Sequence, residues 1–309
     1  MSAHSLLRFV DSISGPIVGI RSAVHPGFWR RLRWYSTAEL HPRWLDPQRK
    51  CAELRFGGAG WSVDKENSQC IAVTEAIERW AYRFCATSNA KSCGFDFDPT
   101  TNGFAALPSA MGLSPLIKHA YHEALERWAL NCMWDDAGIY FRETQAEDSL
   151  LAMFSQFKGQ LKCFTATLQG KPLESIPVEP VIFCLCVFFN EFGGAIPGSA
   201  CAESAPTAVS RAMLETYVHL RAFSRLKGKD VSSIDITEER LLFFATERRA
   251  GAMVSERLRL SDSTGSQQTT NIVLSKHLPG PWNPEVNIYR VIVEGSAPIN
   301  CGGVERFII

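Results

Sequence analysis

From residue 73 to residue 84 apolar and polar positions alternate at helical spacing. Val73, Ala76, Ile77, Trp80, Ala81 and Phe84 fall on one side, and Glu75, Glu78, Arg79 and Tyr82 on the other. Residues three and four apart share a helix face, so the spacing predicts an amphipathic helix that buries one side. The run E-A-I-E-R-W-A at 75–81 returns as E-A-L-E-R-W-A at 123–129, with one aliphatic exchanged. The second copy predicts a second such helix, with His119, His122, Glu123, Glu126 and Arg127 opposed to Ala120, Tyr121, Ala124, Leu125, Trp128 and Ala129. A third helix, 207–226, sets Arg211, Glu215 and His219 along one face, with Met213, Leu214, Tyr217, Val218 and Leu220 as largely apolar company.

Around these helices the pattern reads mostly as strands and turns. Residues 6–20 predict two short strands broken at Ser14-Gly15-Pro16, whereas 25–48, rich in Trp, Arg and Pro, shows no period and reads as a connection. A strand at 52–56 is expected to end at Gly57-Gly58-Ala59-Gly60, before a helix that starts near Asp64 or Asn67. Glycines in that place let backbone N–H groups approach an anion, and a tight turn accounts for them equally well. After a loop or short strand at 88–99 and a turn at 100–105, Ser114 and Pro115 supply the N-cap and first position of the second carboxylate helix, which runs to about Trp134. Strands are expected at 138–141, 161–168 and 178–189, a helix at 147–157, and a small-residue strand and turn at 194–201. Charged helices at 238–246 and 249–258 follow, then a polar flexible loop at 261–270, a helix-or-loop segment, and a strand at 286–294 that carries Arg290. The alternation has no long linker, so the expectation is one α/β domain over residues 1–309, built of internally similar halves.

Composition narrows the class. With 32 basic and 32 acidic residues the formal charge is zero, which gives no reason to expect nucleic acid or an anionic membrane as the main partner. An apolar fraction of 46% is ordinary for a folded protein. The ten cysteines lie singly or as Cys184-Leu185-Cys186 inside apolar runs, without C-x-x-C, and read as reduced, buried thiols. The longest apolar run, 180–189, is too short to span a bilayer, and no secretory signal is evident, so a cytoplasmic location is expected.

What the carboxylate stripes face decides the chemistry. One such stripe is commonly a solvated surface with weak intrahelical pairs, here Glu75 with Arg79 and Glu123 with Arg127. Two near-identical stripes facing each other would bring four glutamates together, and that arrangement requires cations. Hard oxygen ligands with waters suit Mg²⁺, typically where it also holds nucleotide phosphates.

Three groups of residues in order, G-A-G with E-A-I-E-R-W at 58–60 and 75–80, T-N-G-F-A with H-A-Y-H-E-A-L-E-R at 101–105 and 119–127, and G-S-A with R-A-M-L-E at 198–200 and 211–215, resemble the YcaO-domain family. These ATP-dependent enzymes modify peptide backbone amides, and the likeness runs from about Leu6 to about Gly295. It implies a nucleotide pocket ringed by the carboxylate helices. Glu75, Glu78, Glu123, Glu126 and Glu215 would be Mg²⁺ ligands. Glu75, Glu123 and Glu215 would also meet ATP together with Arg79, Arg127 and Asn102, and Arg8, Ser14 and Arg290 match weaker cofactor positions. The implied reaction is phosphorylation of an amide oxygen in a ribosomally made precursor peptide, giving an azoline, thioamide or amidine.

Departures accompany the likeness. Ala59 stands where family members often have lysine, Ile71 where a small hydroxyl or glycine is common, and Val218, His219, Leu220 and Arg221 where Gln and then Arg tend to follow the third helix's glutamate. The chain ends G-G-V-E-R-F-I-I rather than in the Pro-rich tail of azoline formers, which shifts the expectation towards thioamide or amidine. The alternative is a non-catalytic scaffold or peptide-binding subunit on the same fold. No segment looks spare for a leader-binding domain, so an accessory protein is expected to deliver the peptide, and the family frequently forms homodimers.

Overall fold

The computed structural model describes residues 6–25, 33–44, 57–88, 93–95, 102–136, 138–171, 179–226, 236–260, 268–297 and 302–307. In chain order the elements are β1 (Ile17–His25), β2 (Arg33–Leu40), β3 (Gly58–Ser62), α1 (Lys65–Ser88), β4 (Phe104–Pro108), α2 (Leu113–Asn131), β5 (Tyr140–Thr144), α3 (Asp148–Leu151), β6 (Gly159–Lys171), β7 (Val181–Asn190), β8 (Ala195–Ala202), α4 (Ala205–Leu226), α5 (Ile236–Thr246), α6 (Ala250–Arg257), β9 (Arg259–Leu260), β10 (Gln268–Leu278) and β11 (Val286–Val293). The fold is mixed α/β. The chain divides into two compact units, Met1–Tyr121 with Leu274–Ile292, and His122–Val273 with Val293–Ile309.

In the first unit β1, β2 and β3 form an antiparallel sheet with β3 at one edge. Helix α1 lies on it with the side that the spacing assigned to the core: Val73, Ala76, Ile77, Trp80 and Ala81 are buried. Trp80 meets Trp44 and Trp282 edge to face at 5.8 and 5.9 Å, which fixes the middle of the helix. Tyr82, expected on the polar stripe, is buried instead, with its ring edge-on to Phe104 at 6.0 Å. β4 pairs antiparallel with β11, Phe104 opposite Arg290 and Pro108 opposite Val286.

The second unit repeats the plan of three antiparallel strands followed by a helix. β6 and β7 form a long ladder from Gly159 opposite Asn190 to Leu168 opposite Val181, β8 pairs with the other side of β7, and α4 follows. β7, paired on both sides, reads V-I-F-C-L-C-V-F-F-N, and β8, which pairs only with β7, is nevertheless buried along its whole length. β5 runs antiparallel to β6 and parallel to β9, and the first residues of β10 run parallel to the last of β6. The chain's last described residues are anchored here. Phe307 is fully buried against Trp134 and Phe244, Arg240 donates to the carbonyls of Gly302 and Gly303, and Arg306 reaches Asn131 and Asp135.

Several expectations are corrected. Residues Leu7–Phe9 form a 3-10 turn, not a strand. The region read as a connection contains β2, whose period-two pattern is hidden because the small polar Ser36 takes a buried position in line with Ala38 and Leu40. The glycine cluster is not a turn but β3 itself, while the strand expected at 52–56 lies outside the described residues. The helix expected at 147–157 is helical only over Asp148–Leu151; of the polar loop expected at 261–270, residues 261–267 lie outside the described residues and the rest opens β10, which also takes in the helix-or-loop stretch as far as Leu278. The described cysteines are free thiols, as expected, and among the described residues no helix is long and apolar enough to cross a membrane.

Candidate functional site

Glycine brings β3 against α1. A Cβ on Gly58 would lie 2.1 Å from the Ala72 carbonyl oxygen, and one on Gly60 would lie 2.1 Å from that of Ser68, so only glycine allows this approach. As the edge strand, β3 presents backbone N–H groups that need acceptors. The Ala59 N–H donates to Glu75 Oε2 at 2.8 Å, and the other oxygen of Glu75 receives Arg79 at 2.6 Å. One turn on, Glu78 accepts the N–H of Ala106 in β4 at 3.0 Å. These carboxylates therefore face strand amides rather than bulk water.

The second unit uses the same device. A Cβ on Gly198 would come within 2.2 Å of the Thr216 nitrogen and 2.5 Å of the Ala212 oxygen, so β8 lies directly on α4. The Ser199 N–H donates to Glu215 Oε2 at 2.5 Å, across the same 16-residue separation as Ala59 and Glu75. Ser199 also donates through Oγ to Glu126 Oε1 at 2.7 Å, and the Cys201 N–H reaches Glu126 Oε2 at 3.2 Å. Residues 199 and 201 of a strand point their N–H groups the same way, so one edge of β8 serves two carboxylates from two helices. Ser199 ties both glutamates to one residue.

The electrostatics follow from this crowding. Burial, and then the nearby Glu126 charge, push Glu215 up to about 7, against the opposing pull of Arg127 and of the Ser199 N–H. His219, one turn further along α4, shares a hydrogen bond at 2.7 Å between Nδ1 and the Pro197 carbonyl, and burial, with help from Arg127, holds it below its ordinary range. A carbonyl oxygen only accepts, so Nδ1 carries the proton, and burial favours the neutral ring.

The other residues singled out in the sequence stand as follows. Glu123 and Arg127 are half-buried on α2 and share the face of Glu126. Asn102 is buried in the turn before β4. Arg290 is fully buried in the first unit, where it donates to the Cys93 carbonyl at 2.6 Å and lies over the rings of Phe95 and Phe104 at 4.5 and 4.9 Å. Arg8 pairs with Glu285 and donates to the Asn283 carbonyl at 3.2 Å. Ser14 donates its N–H to Asp11 Oδ1 at 3.2 Å, in a turn that the Asp11 carboxylate caps. Sequence reasoning noted G-S-A but passed over Ser199 itself. The signal was the matched spacing from G-A-G to Glu75 and from G-S-A to Glu215.

Comparison with solved structures gives matches over nearly the whole chain. YcaO from Methanopyrus kandleri bound with AMPPCP and Mg²⁺ aligns with 96% of this chain and 91% of its own, at 14% identity and a TM-score of 0.56. The E. coli microcin synthetase McbBCD complex with pro-MccB17 bound aligns with 88% of this chain and 87% of its own, at 13% identity and a TM-score of 0.56. The chain has the YcaO fold. A heterocyclase in complex with substrate and cofactor aligns with 97% of this chain but 53% of its own, at 11% identity and a TM-score of 0.58. No family model and no curated protein matches the sequence.

Within this YcaO fold the donor chemistry fits Mg²⁺. Among the described residues no three His, Cys, Asp or Glu side chains already form a metal cage. Mg²⁺ does not demand one, because it is usually held by one or two carboxylates together with phosphates and waters. Glu126 and Glu215 are such a pair, each oxygen having lone pairs beyond those spent on strand donors. At the departures from the YcaO pattern, Ala59 contributes through its backbone N–H, which any residue supplies, and Ile71 is 41% exposed.

Proposed function

We propose that the chain is an ATP- and Mg²⁺-dependent enzyme that activates a backbone amide of a ribosomally made precursor peptide by O-phosphorylation. One observation carries the reading: two glutamates from different helices, Glu126 and Glu215, share Ser199 in a buried setting where their charges repel. A cation relieves that repulsion. The printed ligands of the YcaO neighbours, AMPPCP with Mg²⁺ in one and pro-MccB17 in another, support the same reading.

A peptide amide is a poor electrophile, and its oxygen is a poor leaving group. In the proposed reaction a side-chain thiol or hydroxyl of the substrate, or an external sulfide or amine, adds to the carbonyl carbon. The oxyanion so formed takes the γ-phosphoryl group of ATP, releasing ADP, and the oxygen then departs as phosphate. The product is an azoline, a thioamide or an amidine according to the nucleophile. Bound Mg²⁺ would neutralise triphosphate charge. Glu126 and Glu215 would hold it, with Glu75, Glu78 and Glu123 as further oxygen ligands, and Arg127 and Arg79 would meet phosphate oxygens, with Asn102 beside the nucleotide. Such residues act by positioning and charge complementarity, as in other phosphoryl transfers. A separate leader-binding protein would present the peptide, in the cytoplasm, to a chain able to pair as a homodimer.

The test follows one atom. With a candidate substrate labelled with ¹⁸O in its backbone carbonyls, plus ATP and Mg²⁺, turnover transfers the label to inorganic phosphate; turnover that leaves phosphate unlabelled overturns the mechanism. A second reading, a non-catalytic scaffold, is favoured by Ala59 and Ile71 and by the fact that Glu75, Glu126 and Glu215 already satisfy strand amides. Absence of calorimetric binding at millimolar Mg·ATP would select it.

A further inference from the structure

The second unit has a cavity of about 580 Å³, lined from residues 156–158, the β7–β8 hairpin, the C-terminal half of α4 and the end of α5, with neither Glu126 nor Glu215 in its wall. Phe157, Phe188, Phe192, Ile196, Leu220 and Phe223 give it an apolar lining of the size that ordinarily holds a small ligand or one side chain. Phe192 is 68% exposed at the hairpin tip, an unusual position for a large apolar side chain that is not mobile. The tip is braced: Asn190 Oδ1 accepts the N–H groups of Phe192 and Gly194, Asn190 Nδ2 donates to the Ala245 carbonyl at 2.7 Å, and the Gly251 N–H donates to the Gly193 carbonyl at 2.8 Å. Gly193 adopts φ +89°, which favours glycine and lets the tip sit against the Arg248 backbone. The aromatic wall is preorganised rather than formed on binding.

Charge at the rim limits what can enter. Lys158, Arg248 and Glu191 all line it, which leaves one net positive charge. Glu191 stands 3.7 Å from the well-exposed Lys158 ammonium, a weak pair. Arg248 is exposed and has no ion-pair partner among the described residues. Gln156 spends its Nε2 on the Met153 carbonyl and Tyr217, while its Oε1 accepts nothing among the described residues. An apolar body, a carboxylate for the guanidinium and an adjacent N–H for the Gln156 carbonyl together describe the terminal residue of a peptide.

We propose that this cavity binds the C-terminal residue of a peptide ending in Phe or Leu, its side chain among the phenylalanines and its α-carboxylate on Arg248. The inference stands on the cavity alone and does not depend on nucleotide chemistry. The experiment is calorimetry on the full chain without nucleotide, using N-acetyl-L-phenylalanine, its C-terminal amide, and dodecanoate. The acid binds with Kd below about 1 mM and the amide at least about tenfold more weakly. Arg248→Gln, a surface change that leaves the melting temperature in place, brings the acid down to the level of the amide. Equal binding of acid and amide, no binding of either at millimolar concentration, or indifference to Arg248→Gln would each overturn the proposal. Dodecanoate binding about tenfold more tightly than the peptide acid would reassign the cavity to an acyl chain and overturn it as well.

Discussion

Replacing Gly198 by alanine adds one methyl group where β8 crosses α4, and its effect can be worked from the structure. The new Cβ would stand 2.2 Å from the Thr216 nitrogen and 2.5 Å from both the Ala212 oxygen and the Thr216 hydroxyl. Ordinary contact is about 3.5 Å, so strand and helix must separate by about 1 Å. Overpacking of this kind costs about 1–3 kcal/mol. The same displacement stretches the 2.5 Å bond from the Ser199 N–H to Glu215 to the limit of hydrogen bonding. Bonds to charged groups contribute about 1.5–3 kcal/mol, so the total loss is about 3–6 kcal/mol, a large part of a typical folding stability. Thermal unfolding followed by circular dichroism reads this as a fall in melting temperature of about 10 °C. Gly19→Ala is the control, since nothing lies within 4 Å of its new methyl. If Gly198→Ala melts within about 1 °C of the parent, the close crossing and the placement of Ser199 derived from it are wrong.

Glu126→Gln removes the neighbouring charge that helps to hold Glu215 up to about 7, so Glu215 titrates lower, as ¹³C NMR of labelled carboxyl groups will show; an unmoved midpoint would leave burial as the sole cause. Because the folded-state value lies above the ordinary 4.5, the folded chain takes up this proton more readily than the unfolded chain. The stability that this contributes is complete below about 4.5 and lost as pH rises through about 7, on the order of 3 kcal/mol. Urea unfolding across that window should therefore show a shallower decline in Glu215→Gln, and an unchanged slope would contradict the assignment. Arg290→Ala deletes a buried cation that donates to the Cys93 carbonyl and is flanked by Phe95 and Phe104, and is expected to cost about 3–5 kcal/mol; an unchanged urea midpoint would show that the cluster contributes little.

The helices were legible because their burial follows a single period. Val73, Ala76, Ile77, Trp80 and Ala81 on α1, and Ala120, Ala124, Leu125 and Trp128 on α2, all lie where the spacing put them. Tyr82 broke the pattern because an aromatic ring beside a polar stripe can turn towards neighbours that only the fold brings near, here Phe104. β3 was unreadable as a strand. Its glycines lack strand propensity and are set by the need to lie on α1 backbone, a tertiary demand with no local signature. At the site, Glu75, Glu78, Glu126 and Glu215 were visible as repeated carboxylates, but what they hold on to was not. Their partners are the N–H groups of Ala59, Ala106, Ser199 and Cys201, and any residue there supplies the same donor.

The central claim is that the glutamates tied to Ser199 serve a magnesium-bound triphosphate, and the direct measurement is isothermal calorimetry of Mg·ATP with the parent chain and with Glu126→Gln, each checked for cooperative unfolding. Glutamine keeps the shape of the side chain but loses the charge and one acceptor. The parent should bind with Kd below about 1 mM, with binding abolished by EDTA, and folded Glu126→Gln should bind at least about thirtyfold more weakly, a difference of about 2 kcal/mol. Equal affinities in the two proteins, or no heat from the parent at millimolar nucleotide, would contradict it.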